Sequence, residues 1–216
     1  MEVYVTEEQQ VEAVKNWLKR NGPSIALGIV LGIAVIFGVK WYRAKQVEHK
    51  VQASVNFDAA IAQLSYVPAD KLPEIVDTFS EKSKHIAYEN LLALASAKKA
   101  VEDNDLQVAE GLLSRVVAKP AHPLIEHIAR ARLARVQMAR QSFDAALQTL
   151  QVKEEGDFAP LFSEIRGDIY LAQGDSEKAH VEYQKAVDAI QGLVPTALRY
   201  KLADTKPATE VVKEQE

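Results

Sequence analysis

The chain has 216 residues, 48% of them hydrophobic, which is enough for one ordinary domain with a real core plus a short appendage and excludes compositional disorder. Its formal net charge of −4 is spread without a long basic block, which argues against a nucleic-acid partner. The absence of cysteine excludes disulfides, thiolate chemistry and cysteine-ligated zinc, and fits a reducing or an oxidising compartment equally.

Near the N-terminus, residues 21–39 carry no charge, and 25–39 are wholly aliphatic, aromatic or glycine. At ~1.5 Å per residue such a run nearly matches the ~30 Å hydrocarbon core of a bilayer. The run predicts one transmembrane helix over 23–42, with Pro23 in its first turn and Trp17, Trp41 and Tyr42 at the interfaces. A buried core helix usually carries a polar stripe, and this one is apolar all round. A cleaved signal peptide fits poorly, because Glu2, Glu7, Glu8 and Glu12 precede the run and Lys40, Trp41, Tyr42 and Arg43 follow it where small residues belong. Flanking charge places Lys15, Lys19 and Arg20 before the span and Lys40, Arg43, Lys45 and Lys50 after it, a margin of one favouring the C-terminal side inside. Gly28 and Gly32 form a GxxxG pair, a candidate contact for another transmembrane helix, although glycine is common in such spans by accident.

Beyond the span, apolar and charged residues alternate at helical spacing, with breaks at 68–70, Lys84, Asn104, 120–123, Ser142, 155–157, Gly174 and 192–195. The pattern predicts helices near 40–66, 70–82, 85–102, 105–118, 123–140, 142–153, 158–172, 175–190 and 195–203. Short connections imply antiparallel hairpins.

A fixed offset organises these hairpins. Ala97, Ala134 and Gly167 are each followed twelve positions later by Ala109, Ala146 and Ala179. Four residues before each second alanine stands an N-cap residue, Asp105, Ser142 or Asp175, and four after it stands Leu113, Leu150 or Tyr183. The last two units are 33 residues apart and the first two 37, with Pro120 and Pro123 in the longer linker. This arrangement resembles the tetratricopeptide repeat, in which small residues on two helices face each other so that the backbones pack closely. The best match is RGDIYLAQGDSEKAHVEYQKA, with Gly167, Tyr170, Gly174, Ala179, Tyr183 and Ala186 at the repeat's offsets. The units at 89–120 and 126–157 lack the usual turn glycine. The fold class expected is therefore all-α: a single N-terminal transmembrane helix followed by a tetratricopeptide-like solenoid of helical hairpins. The domains expected are an N-terminal segment at 1–22, the span at 23–42, the repeat domain at 43–205 and a flexible tail at 206–216.

No catalytic, cofactor-binding or metal site is expected. The histidines His49, His85, His122, His127 and His180 are scattered, and the close pair His122 and His127 is five apart, not the four that shares a helical face. Glycine-rich phosphate loops, a serine elbow and HExxH are all absent. The chain does not read as an enzyme.

Taken together, EVYVTEEQQVEAVKNWLKRNG, the glycine-rich span, ARLARVQMARQSFDAALQTL and IRGDIYLAQGDSEKA occur in an order that resembles the YfgM family, ancillary subunits of the bacterial SecYEG translocon. The resemblance implies a single-pass protein of the bacterial inner membrane, N-terminus cytoplasmic and repeat domain periplasmic, against the narrow charge count. It implies as partners the SecYEG translocon, a membrane-anchored periplasmic prolyl isomerase, secreted client proteins and, through the span, the lipid bilayer. The function it implies is a membrane-anchored protein-binding module associated with the translocon and periplasmic chaperones. The alternative is a regulatory or assembly scaffold that sequesters an envelope-stress signalling protein.

If the repeats stack as in tetratricopeptide domains, the first helix of each hairpin lines a partner groove. The candidate groove residues are Leu91, Leu94, Lys98 and Val101, then Ile128, Arg135 and Met138, then Leu161 and Leu171. Periodicity alone does not separate groove from core at these positions.

Overall fold

The computed structural model describes residues 7–83 and 85–206, and in the first helix the side chains other than those of residues 7–9, 46 and 48–50. The predicted break at Lys84, the His49 and Lys50 side chains, and the tail expected beyond Lys206 lie outside the described residues. By its internal contacts the chain divides into two units, Met1–Gln52 and Ala53–Glu216.

In the first unit, helix α1 (Glu7–Leu64) begins. Its stretch Gln10–Lys45 is long and apolar enough to cross a membrane, and none of the apolar window is buried by protein. Leu27, Val30, Phe37 and Trp41 all lie exposed. A helix apolar on every side satisfies its backbone internally and needs an apolar medium for its side chains. The first-turn position expected for Pro23 is corrected: the helix starts sixteen residues earlier, at Glu7, and runs through the proline. The charged and apolar residues of 10–20 continue the helical pattern with no breaker, so the helix runs on through the proline despite the lost hydrogen bond and the crowding of the carbonyl four residues before it. The helix predicted near 40–66 is likewise the continuation of α1, since nothing at 40–43 interrupts it.

The second unit is built of helices among the described residues: the end of α1, α2 (Leu72–Ser83), α3 (Ile86–Glu102), α4 (Leu106–Ala118), α5 (Pro123–Ala139), α6 (Phe143–Thr149), α7 (Ala159–Ala172), α8 (Ser176–Ala189) and α9 (Thr196–Asp204). Hairpins form from α3 with α4, α5 with α6, and α7 with α8, and the first helices α3, α5 and α7 also meet in sequence. The core follows the chain as three successive clusters. Leu72, Phe79, Leu92 and Leu112 belong to the first, Leu150, Phe162 and Ile165 to the second, and Tyr183, Ala186 and Leu198 to the third. This succession is what stacked repeats produce, each unit burying its face on its neighbours.

The small-residue pairs sit where the offset places them: Ala97, Ala109, Ala134, Ala146, Gly167 and Ala179 are all buried. Asp105 and Asp175 cap α4 and α8 by accepting from Val108 N and Lys178 N, both at 3.0 Å. Ser142 makes no such bond.

Each hairpin turns in the same way. Asn104 and Gln141 at φ 61° and Gly174 at φ 84° occupy one repeat position in the left-handed region. After each, Asp105, Ser142 or Asp175 donates its N–H to Ala100 O, Gln137 O or Tyr170 O, closing a Schellman-type end. The missing turn glycines therefore change the residue and leave the backbone unchanged.

Two side-chain devices fix the longer connections. Buried Asn90 donates to Lys119 O at 3.2 Å and accepts from Ala121 N at 2.6 Å, pinning the extended linker between the first two hairpins. Helix α6 ends at Thr149, short of the predicted 153. There Arg130 donates to Thr149 O at 2.9 Å and the Thr149 hydroxyl donates to Gln137 at 2.7 Å. A cationic side chain on a terminal carbonyl is a favourable helix stop.

Candidate partner-binding groove

Helices α3 and α5 stand side by side as the first helices of consecutive hairpins, and between them opens a cleft of about 370 Å³. Its floor is apolar, from buried Ala97 on α3, Leu113 on α4 and Val136 on α5. Val101 forms one wall and remains 43% exposed. Lys98 and Glu102 edge the cleft on α3 and pair at 3.6 Å, while Arg132 and Arg135 edge it on α5. Both arginines are exposed, and among the described residues neither has a hydrogen-bond or ion-pair partner.

Of the candidate groove residues, the structure gathers Lys98, Val101 and Arg135 around this cleft. Leu94 is corrected from groove to core: only 6% exposed, it packs in the first cluster with Leu92 and Ala97. The reason is packing: this position of α3 lies among the buried side chains of the first cluster and not on the open flank that faces the cleft. Leu91 and Leu171 are exposed but outside the cleft, and Ile128 is half-buried. Met138 and Leu161 are half-buried against the second core cluster. In the other unit, Gly28 and Gly32 have nothing within 4 Å of where a Cβ would stand, so their flank of the helix is open.

Sequence reasoning missed Arg132, Glu102, Leu113 and Val136. It projected one face of each first helix outward, whereas the cleft lies between two helices and takes residues from facing flanks. The available signal was the pair Arg132 and Arg135, three apart and so on adjoining helical faces.

The third hairpin presents different chemistry. Glu164 and Asp168 on α7 stand at the repeat positions of Leu94 and Lys98, and both accept from Lys201 of α9 at 2.7 Å. Tyr183 of α8 also donates to Asp168, at 2.9 Å. Partial burial opposes the Lys201 charge, but its bonds to Asp168 and Glu164 outweigh this and its pKa is raised. Burial, reinforced by Asp168, pushes the Tyr183 phenol above its ordinary range. Nearby, burial also works against Arg166 and Glu182. Their mutual bond at 2.9 Å, with Glu155 and Lys185 alongside, still raises the guanidinium and lowers the carboxyl.

Three of the histidines serve local structure. His122 Nδ1 accepts from Leu124 N at the start of α5, His127 packs against Phe158 and Phe162, and His180 meets Leu202 O and Thr205. Among the described residues no cluster of three His, Asp or Glu side chains is placed to hold a metal ion.

Comparison with known proteins gives one consistent relationship. The family described as "Tetratricopeptide repeat-like domain" matches residues 15–206. The protein named "Ancillary SecYEG translocon subunit" in Escherichia coli K12 is 32% identical over 188 residues, covering 87% of this chain and 90% of the relative. Its namesake in Haemophilus influenzae is 31% identical over 199 residues, covering 92% of this chain and 97% of the relative. Another from Neisseria gonorrhoeae is 28% identical over 193 residues, 87% of this chain and 90% of its own length. No solved structure matches the chain.

Proposed function

Because the chain belongs to the tetratricopeptide repeat-like family of ancillary SecYEG translocon subunits, we propose that it is a membrane-anchored protein-binding module that associates with the Sec translocon. The observation that carries this reading is the reach of the likeness. It runs from residue 15 to 206, through both the apolar helix and the repeats, so the two-part layout is shared as a whole. In this reading the helix over 23–42 anchors the chain in a bacterial inner membrane and the hairpins bind partners through the cleft between α3 and α5. The N-terminal segment is cytoplasmic and the repeat domain periplasmic, where it assists secreted or envelope proteins beside a membrane-anchored prolyl isomerase. Orientation rests on the family resemblance, since long domains cross largely regardless of flanking charge. The chain's part is binding, with no covalent step.

Affinity purification of the tagged chain from membranes dissolved in a mild detergent tests this directly. Recovery of translocon subunits with the chain is expected, as is retention of the chain in the pellet after alkaline carbonate. Recovery of the intact chain without any translocon subunit would overturn the association, and release by carbonate would overturn the anchor.

A further inference from the structure

We infer that the cleft between α3 and α5 takes an acidic protein segment, one whose aliphatic side chain enters the apolar floor while flanking carboxylates meet Arg132 and Arg135. The inference rests on the reading of this cleft as the partner site and adds the chemistry of its occupant. A comparison of equivalent repeat positions leads to it. Lys98, Arg135 and Asp168 share one position on the three first helices. Asp168 is answered from within the chain by Lys201, and Lys98 by Glu102. Arg135, and Arg132 beside it, are answered by nothing among the described residues.

This basic edge lies on a chain whose formal net charge is −4. It borders an apolar floor of Ala97, Leu113 and Val136, and Val101 stands 43% exposed beside it. Covering Val101 removes apolar surface from water, which favours an aliphatic group in the centre. Planar guanidiniums pair with carboxylates in fixed fork geometry, so the edge selects for charge and for direction as well as for contact. A partner's carboxylate thus does for Arg135 what Lys201 does for Asp168. A polyanion without an apolar side chain leaves the floor wet, and an uncharged aliphatic segment leaves both arginines unpaired.

The test uses the full chain in a non-ionic detergent and two fluorescein-labelled peptides of about ten residues, a length suited to groove binding. In one, Asp and Glu alternate with Leu and Val; in the other, Asn and Gln replace the carboxylates. The acidic peptide is expected to bind about tenfold more tightly at low salt, with the advantage shrinking as ionic strength rises. Arg132→Gln with Arg135→Gln should abolish the preference without changing the melting temperature, while Arg199→Gln on α9 should leave it intact. Equal binding of both peptides, lost in Val101→Glu, would overturn the acidic assignment and leave the partner cleft standing. Failure of both peptides to bind, with crosslinking to partners from Val101 still seen in cells, would also overturn it alone. Failure of both, with Val101 silent in cells, would remove the cleft reading as well. Two outcomes would assign the arginines to another occupant and overturn the inference. These are arginine-dependent self-association and binding to anionic lipid vesicles with no preference between peptides.

Discussion

The first two hairpins and the third share one backbone and differ in what holds it. In the third, Gly167 lies under the buried ring of Tyr183, Gly174 makes the turn, and Lys201 neutralises the acids on the first helix. In the first two, Ala97 and Ala134 replace the glycine, Leu113 and Leu150 replace the tyrosine, and Asn104 and Gln141 make the same left-handed turn. The lesson is that the repeat is a backbone geometry that several side-chain sets can satisfy. A residue's effect therefore depends on its partners within its own hairpin.

The largest effect expected follows from Leu94 and Glu164, which share a repeat position. Glu164 is tolerated because Lys201 answers it, whereas Leu94 is buried in the first core cluster. Leu94→Glu should therefore destabilise the repeat domain by about 3 kcal/mol or more, measured by thermal or urea unfolding, because a carboxylate is buried unpaired. Val101→Glu, at an exposed wall, should shift stability by less than about 0.5 kcal/mol. Equal effects from the two would erase the distinction between core and cleft.

Next in size is Gly167→Ala. A Cβ there stands 2.5 Å from Tyr183 Cδ1 and 3.1 Å from Cζ, so the buried ring must move. A loss of roughly 2 kcal/mol is expected. Adding Tyr183→Leu, which recreates the pairing used in the first two hairpins, should recover part of that loss in a double-mutant cycle. Strict additivity would show that the contact does not govern the crossing.

Lys201→Met sharpens the comparison at its acidic end. It leaves Glu164 and Asp168 without their common cation, and because the site is only partly buried a loss of about 1 kcal/mol is expected at neutral pH. Because the Lys201 pKa is raised by these bonds, its contribution is fully present below the ordinary lysine range, and the loss should shrink as pH rises through the raised value. A loss unchanged in alkali would mean that packing, not charge, is what Lys201 supplies.

The smallest effect concerns the turns. Gln141 holds φ 61° with a side chain that disfavours it, so Gln141→Gly should stabilise the domain by roughly 0.5–1 kcal/mol. Asn104→Gly should gain less, since asparagine tolerates this region. Destabilisation by Gln141→Gly would show that its side chain contributes more than the turn strain costs.

Much of this organisation was legible in the sequence because it is local. Caps, breaks and apolar periodicity placed the helices from α2 to α9 within a few residues, and the twelve-residue offset found the buried small pairs. The turn at Gln141 was not legible, since glutamine carries no turn signature and the conformation is imposed by the hairpin around it. Asn90 is likewise an ordinary helical asparagine until the fold brings the linker at Lys119 and Ala121 to it. The cleft was half legible: Lys98, Val101 and Arg135 came from helical spacing, but Leu94 looks identical to a groove residue until its neighbours are known. The pairing of Lys201 with Asp168 joins positions 33 residues apart, beyond the reach of any local pattern.

In the proposed mode of binding, partners enter between the first two hairpins, and the third is closed off by its own ion pairs. Val101 and Leu171 share a repeat position and are similarly exposed, at 43% and 46%, so they differ mainly in that setting. A photo-crosslinking residue placed at each in turn, in the full chain within cells, compares the two surfaces directly. Strong adducts with partner proteins are expected from position 101 and few from position 171. Adducts of equal yield from both, or from position 171 alone, would contradict this mode of binding.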